Sequence, residues 1–238
     1  MSTLTHHRSI GGLVMAVVII AAVLAGCENT ETVKTLTEPS PSPLQLPLIH
    51  QTVQPTPTPF VLADVLGLDL SLMAGPIEVP LELQIPSLKV KAPVLGVGLT
   101  ADKKMDAPRG PIGDPIWHKA YWYRGSGIPG EPGTATFAGH VNDPLGRHEI
   151  FAHLQDLQPG DPIIVHIKDT AVDIRFTVDQ VVVYSLQESS NPDVLGWVFG
   201  FGRSDNLSHL TLVTCTGYIV NGVFDHYVVV YATRTNGN

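Results

Sequence analysis

Proline and glycine interrupt this chain so often that a long helix is hard to place in it. Twenty of its 238 residues are proline and twenty-two are glycine. Proline removes a helical hydrogen bond and glycine sets turns, so together they favour short strands joined by turns. The segments between these breaks read accordingly. "LELQIPSLKVKAPVLGVGL" predicts two strands around Pro86, and "GTATFAGHV" (Gly133 to Val141) a third. "PIIVHIKD" and "VDIRFTVDQVVVYSL" predict strands parted by the turn-like "KDTA", and "PDVLGWVFGF" a short helix begun by Pro192. "SHLTLVTC" and "GVFDHYVVVYATR" close the domain as two more strands. About seven or eight strands with few helices predict a mainly β fold, a closed or nearly closed barrel.

The barrel is expected to occupy only residues 80–238. At the amino end, "MSTLTHHRSIGG" is weakly positive, Leu13 to Ala25 is an unbroken apolar run, and "LAGC" follows at once. A charged start, an apolar core and small residues at a cleavage point form an export signal over residues 1–27. The run is shorter than the roughly 20 residues that a membrane-spanning helix needs. Leu24-Ala25-Gly26-Cys27 resembles a bacterial lipobox, in which the cysteine is lipidated and becomes the mature amino terminus. An uncleaved amino-terminal anchor is the alternative. Either way the remainder is expected outside the cytoplasm, tethered to the membrane at the cell surface. Residues 28–60, rich in Thr, Pro, Ser and Gln without apolar period, read as an extended tether. Residues 61–79 read as an apolar connecting segment.

Charge excludes one class of partner. Charged residues make up 15% and the net charge is −8, with no basic stripe, so no nucleic-acid partner is expected. The sequence has no P-loop, dinucleotide fingerprint, G-x-S-x-G elbow or H-E-x-x-H motif. His148 and His153 lack the cysteine or acidic neighbours of a metal site, and no metal or other cofactor is expected.

Two cysteines are present. With Cys27 consumed at the anchor, Cys215 has no partner for an intramolecular disulfide. A leftover thiol in an exported protein is either a core filler or a reactive group. A reactive thiol needs a base or imidazolium beside it. Among ten histidines, His140 stands out, because it ends a strand just beyond the small pair Ala138-Gly139. A hydrogen-bonded histidine at a strand end fits the same pattern.

"GHVND", followed by "LTLVTC" and preceded by "LQIPSLKVKAPVLGVGL", resembles the sortase family over about Pro80 to Arg234, with the intervening loops most similar to its classes F and E. The resemblance implies an eight-stranded β-barrel and an exported cysteine transpeptidase. Such an enzyme would cleave a peptide sorting signal, form a thioacyl intermediate, and pass the acyl group to an amine or to water. It implies Cys215 as nucleophile and His140 as acid/base partner. The family's third residue is an arginine on the last strand, and the aligned position here holds Tyr227. A phenol offers one donor where a guanidinium offers a charged fork. Tyr227 substitutes directly, or a second cation reaches in (Arg147 beside the His140 loop being nearer than Arg234), or the protein is a weakened relative. The competing function is a surface lipoprotein that holds an extended peptide without cutting it.

Overall fold

The computed structural model describes residues 71–73, 75–201 and 203–235. The segments expected as signal, lipobox (Cys27) and tether, and most of the connecting segment, lie outside the described residues. Eight strands run in the order β1 (Ile77–Ile85), β2 (Val90–Val97), β3 (Ala120–Tyr123), β4 (Gly133–Gly139), β5 (Pro162–Ile167), β6 (Asp173–Ser185), β7 (Ser208–Val220) and β8 (Val223–Arg234). Two short helices, α1 (Leu186–Ser189) and α2 (Pro192–Phe199), separate β6 from β7. The strands close a barrel in the order β1-β2-β3-β4-β7-β8-β6-β5. β2 with β3 and β4 with β7 are parallel; the other neighbours are antiparallel.

Side-chain alternation makes the two faces of this barrel different. In β1, every second residue from Val79 through Leu81 and Leu83 to Ile85 is buried, the period-2 pattern of a strand with one face in the core. Inward residues of the other strands join them: Ala135 and Phe137 of β4, Leu210 and Leu212 of β7, and Val228, Val230 and Ala232 of β8. Each large aliphatic side chain buried there contributes about 1.5–3 kcal/mol relative to exposure. The outward set of the same strands forms a second cluster, in which Val229 and Tyr231 pack with Val198 of α2, alongside Val213, Val182 and Tyr184. In β6 the shift of register between Val178 and Gln180 moves alternation by one residue. Val178 therefore faces the core while Val182 and Tyr184 join the outer cluster.

α2 is fixed over the outer face by local chemistry. Asn191 caps it by accepting from Asp193 N–H, Pro192 starts it, and Gly200 ends it in the left-handed region. The Thr136 hydroxyl of β4 donates to the Val198 carbonyl at its carboxyl end, at 2.8 Å.

Three strand expectations differ from the structure. β1 begins at Ile77, slightly ahead of Pro80. β3 was not foreseen: "AYWY" is buried at all four positions and shows no polar alternation. β7 does not end at Cys215 but runs to Val220, through a register shift between Thr216 and Ile219 at Gly217, whose φ is +84°. A glycine that reads as a strand stop acts here as a bulge that lets the strand continue.

Gly139 is the tight point of the scaffold. A Cβ there would stand 2.6 Å from the Phe151 ring, and its carbonyl accepts a hydrogen bond from the Thr214 hydroxyl at 2.9 Å. Gly139→Ala is expected to lower stability by about 1–3 kcal/mol through overpacking, read as a lower thermal midpoint; an unchanged midpoint contradicts this packing.

Candidate active site

Alternation decides where Cys215 faces. Leu210 and Leu212 point into the barrel, so Val213 and Cys215, one residue out of phase, point away from it. Cys215 is a half-buried free thiol. Across the ladder it pairs with Tyr227 of β8, which pairs in turn with Tyr184 of β6. Directly opposed residues share a face, so a thiol and two phenols form a row across three strands on the outside of the barrel.

A cavity of about 750 Å³ opens over this row. Its floor is the outer face of the strands, including Val213, Val229 and Ala138, and its wall carries Val194, Val198 and Phe199 of α2. Cys215, Tyr227 and His140 all line it. Parallel pairing of β4 with β7 runs from Gly133 opposite Ser208 to Ala138 opposite Val213. His140, one residue past the end of β4, and Cys215, within β7, therefore stand at the same level of neighbouring strands though distant in sequence.

The segment between β2 and β3 shapes the remaining side. It turns tightly, with an isolated bridge between Leu99 and Met105, then crosses His140 as Asp106-Ala107-Pro108-Arg109. The Pro108 carbonyl stands 2.9 Å from His140 Nε2, and the Tyr121 hydroxyl, which donates to the Ile116 carbonyl at 2.6 Å, lies 3.3 Å from it. A carbonyl can only accept, so Nε2 carries the proton and the neutral ring keeps Nδ1 as its free base. Trp117 and Tyr121 hold the ring between them, with centroids 4.6 Å and 5.4 Å from its own.

Burial keeps both groups neutral. It pushes the Cys215 thiol above its ordinary value of 9.0, and the nearby Arg109 charge pulls only part of the way back. It lowers His140 below its ordinary 6.5; the Pro108 hydrogen bond and the Glu149 charge oppose this, while Arg109 adds to it. Glu149 is itself a buried carboxylate that bonds His118 Nδ1 at 2.5 Å. Tyr227 is also raised, by burial first and then by the adjacent Cys215.

Arg147 lies elsewhere. It closes the turn Asp143 to Arg147 onto the buried carboxylate of Asp143 and is not among the residues lining the cavity. Arg234 donates to the Gly130 carbonyl. Among the described residues no group of three or more His, Cys, Asp or Glu side chains could hold a metal ion. The cavity residue that sequence reasoning missed is Arg109, exposed in a loop of prolines and glycines with no period to mark it.

A family model and one solved structure agree with this architecture. The family model "Sortase domain" matches residues 83–235. A lid mutant of sortase A from Corynebacterium diphtheriae is 21% identical, covering 74% of this chain and 79% of that one, with a TM-score of 0.50. Sortase A from the same organism is 21% identical over 70% of this chain and 64% of that chain, with a TM-score of 0.48. At these identities the likeness is one of fold. A stretch of 53 residues is 38% identical to the FAD assembly factor SdhE of Aliivibrio fischeri, covering 22% of this chain and 62% of that protein. The chain thus spans less than two thirds of the length of either SdhE or sortase A.

The directions of the two pKa shifts predict a pH response. The thiolate is disfavoured by burial, so alkylation of Cys215 by iodoacetamide should rise with pH to a midpoint above 9.0. The imidazolium is disfavoured too, so the His140 ring should titrate by NMR below 6.5. A thiol midpoint under 8 contradicts the burial reading.

Proposed function

The chain belongs to the sortase family, and on that premise we propose that it is a cysteine transpeptidase acting on sorting signals of exported proteins. The observation that carries the reading is that Cys215 and His140, supplied by different strands, line one cavity. That cavity has an apolar floor and a size suited to an extended peptide segment.

In the proposed reaction the resting pair is neutral, and His140 Nδ1 receives the proton of Cys215 Sγ as the sulfur attacks the peptide carbonyl. The S–C bond forms and the carbonyl electron pair moves to oxygen. When that oxyanion collapses, the C–N bond breaks and the proton passes from His140 to the departing amine, leaving a thioester on Cys215. An incoming amine, or water, then attacks the thioester and gives its proton to His140. Expulsion of the Cys215 sulfur, which recovers a proton from His140, restores the pair. At neutral pH a thiol with a pKa above 9 is about 1% ionised or less, so reaction depends on proton transfer within the pair and not on a standing thiolate. Tyr227, opposite Cys215, offers one hydrogen bond to the substrate carbonyl. The signal and lipobox at Cys27 would place this chemistry outside the cytoplasm, on the membrane, where acyl donors are exported proteins and acceptors are amines or water.

A binding lipoprotein is the second reading, favoured by Tyr227 where the family's arginine is expected. A peptide library with mass-spectrometric detection separates the two. Wild type should cleave members of the library. Cys215→Ala should abolish cleavage with the thermal midpoint retained, and His140→Ala should reduce it by about 10²–10⁴, the usual contribution of general acid–base catalysis. Cleavage that survives in Cys215→Ala would rule out Cys215 as the nucleophile and with it the cysteine-transpeptidase reading, and a wild type that binds library peptides without cutting any supports the binding module.

A further inference from the structure

We infer that Arg109, carried by the segment between β2 and β3, is the cation that serves Cys215, in place of any charge on the last strand. The inference deepens the reading above, since it names a further residue for the same site. It starts from the set of arginines among the described residues. Arg147 is spent on Asp143 and Arg175 on Asp173. Arg234 donates to the Gly130 carbonyl, and Arg203 lies over the Trp197 ring at 4.5 Å. Arg124 is buried and donates to the Gly75 carbonyl at 3.1 Å. Arg109 lines the cavity with Cys215 and His140, and no hydrogen bond or ion pair occupies its guanidinium among the described residues.

Its position is not left to a free loop. The residue before it, Pro108, is bonded through its carbonyl to His140 at 2.9 Å, so the imidazole and the arginine backbone are held as one unit. Trp117 Nε1 donates to the Pro111 carbonyl at 3.0 Å, fixing the segment again two residues beyond. Both sides of the pair feel the charge: it favours a thiolate at Cys215 and disfavours an imidazolium at His140.

The other groups facing Cys215 do not take this role. β8 and β6 present the phenols Tyr227 and Tyr184, and β3 presents Tyr123; a phenol offers one hydrogen bond and no positive charge. His140 is the proton acceptor. The β2–β3 segment also brings Lys103, Lys104 and Asp106. The lysines sit in its exposed tight turn, where the Lys104 N–H and carbonyl close on Thr100. A guanidinium has five donors in a planar fork and keeps its charge at any working pH, which suits both a thiolate and the oxyanion that forms beside it.

The test compares full-length wild type with Arg109→Gln, Arg109→Lys and Arg147→Ala, measuring iodoacetamide alkylation of Cys215 from pH 6 to 10.5 together with peptide cleavage. Arg109→Gln, which keeps the length and loses the charge, should raise the alkylation midpoint and slow alkylation at pH 8 about threefold to tenfold. The gap from wild type should shrink as salt rises, because an exposed charge is screened. Arg109→Lys should restore the midpoint while recovering only part of any cleavage, since charge returns without the fork. Arg147→Ala should match wild type in both. An unchanged midpoint in Arg109→Gln, with its thermal midpoint intact, overturns the inference, and so does a raised midpoint in Arg147→Ala alone. Alkylation needs no peptide substrate, so a wild type that cleaves nothing counts against the transpeptidase reading and leaves the Arg109 result to be judged by itself.

Discussion

The candidate site depends on the alternation of side chains in β4, β8, β7 up to Cys215, and β6 beyond its register shift. One parity fills the barrel with Phe137, Leu212, Val230 and their neighbours; the other builds an outer face covered by α2. Because a one-residue slip would exchange the two sets, the core that stabilises the barrel also dictates that Cys215 faces outward. Leu212 could not move to the surface without taking Cys215 into the core. The register shift in β6 serves the same end, since it turns Tyr184 to the face that Tyr227 and Cys215 occupy.

A thiol placed under a helix and a crossing loop loses water, and its chemistry follows from that loss. Desolvation raises Cys215 and lowers His140, which separates their titrations and leaves a neutral pair over a wide range of pH. Such a thiol resists casual oxidation and alkylation, because the thiolate is the reactive form. It becomes nucleophilic only when a base is aligned and a substrate carbonyl can take up charge. The aromatic clamp of Trp117 and Tyr121 on the imidazole and the Pro108 carbonyl on Nε2 fix the ring in place, which in the proposed reaction would limit the ordering cost.

Much of this was legible in the sequence, and the failures have physical reasons. A strand with one wet face, such as β1, announces itself by alternation, and the Pro192 start of α2 carries its own signal. β3 does not, because the β2–β3 segment covers its outer residue Tyr121 while Trp122 fills the core; a strand buried on both faces has no polar phase to read. The end of β7 was misread because Gly217 looks like a stop, whereas the bulge it permits extends the ribbon to Val220. Residue type and the small residues beside His140 marked Cys215 and His140 only as candidates, with a core thiol and a hydrogen-bonded strand-end histidine left open. The roles came from the resemblance of their motifs to the sortase family. Arg109 carried no such mark, since a loop brings it to the cavity by tertiary contacts at Pro108 and Pro111, and local sequence holds no trace of those partners.

Trapping the covalent state most directly tests whether this outward thiol is a working nucleophile. The purified protein would be incubated with the peptide library, quenched in acid and weighed intact. The account predicts a species heavier by an acyl fragment, located on Cys215 by peptide mapping, removed by hydroxylamine and absent from Cys215→Ala. Turnover of peptide with no hydroxylamine-sensitive adduct on Cys215, or an adduct that maps to another residue, would contradict it.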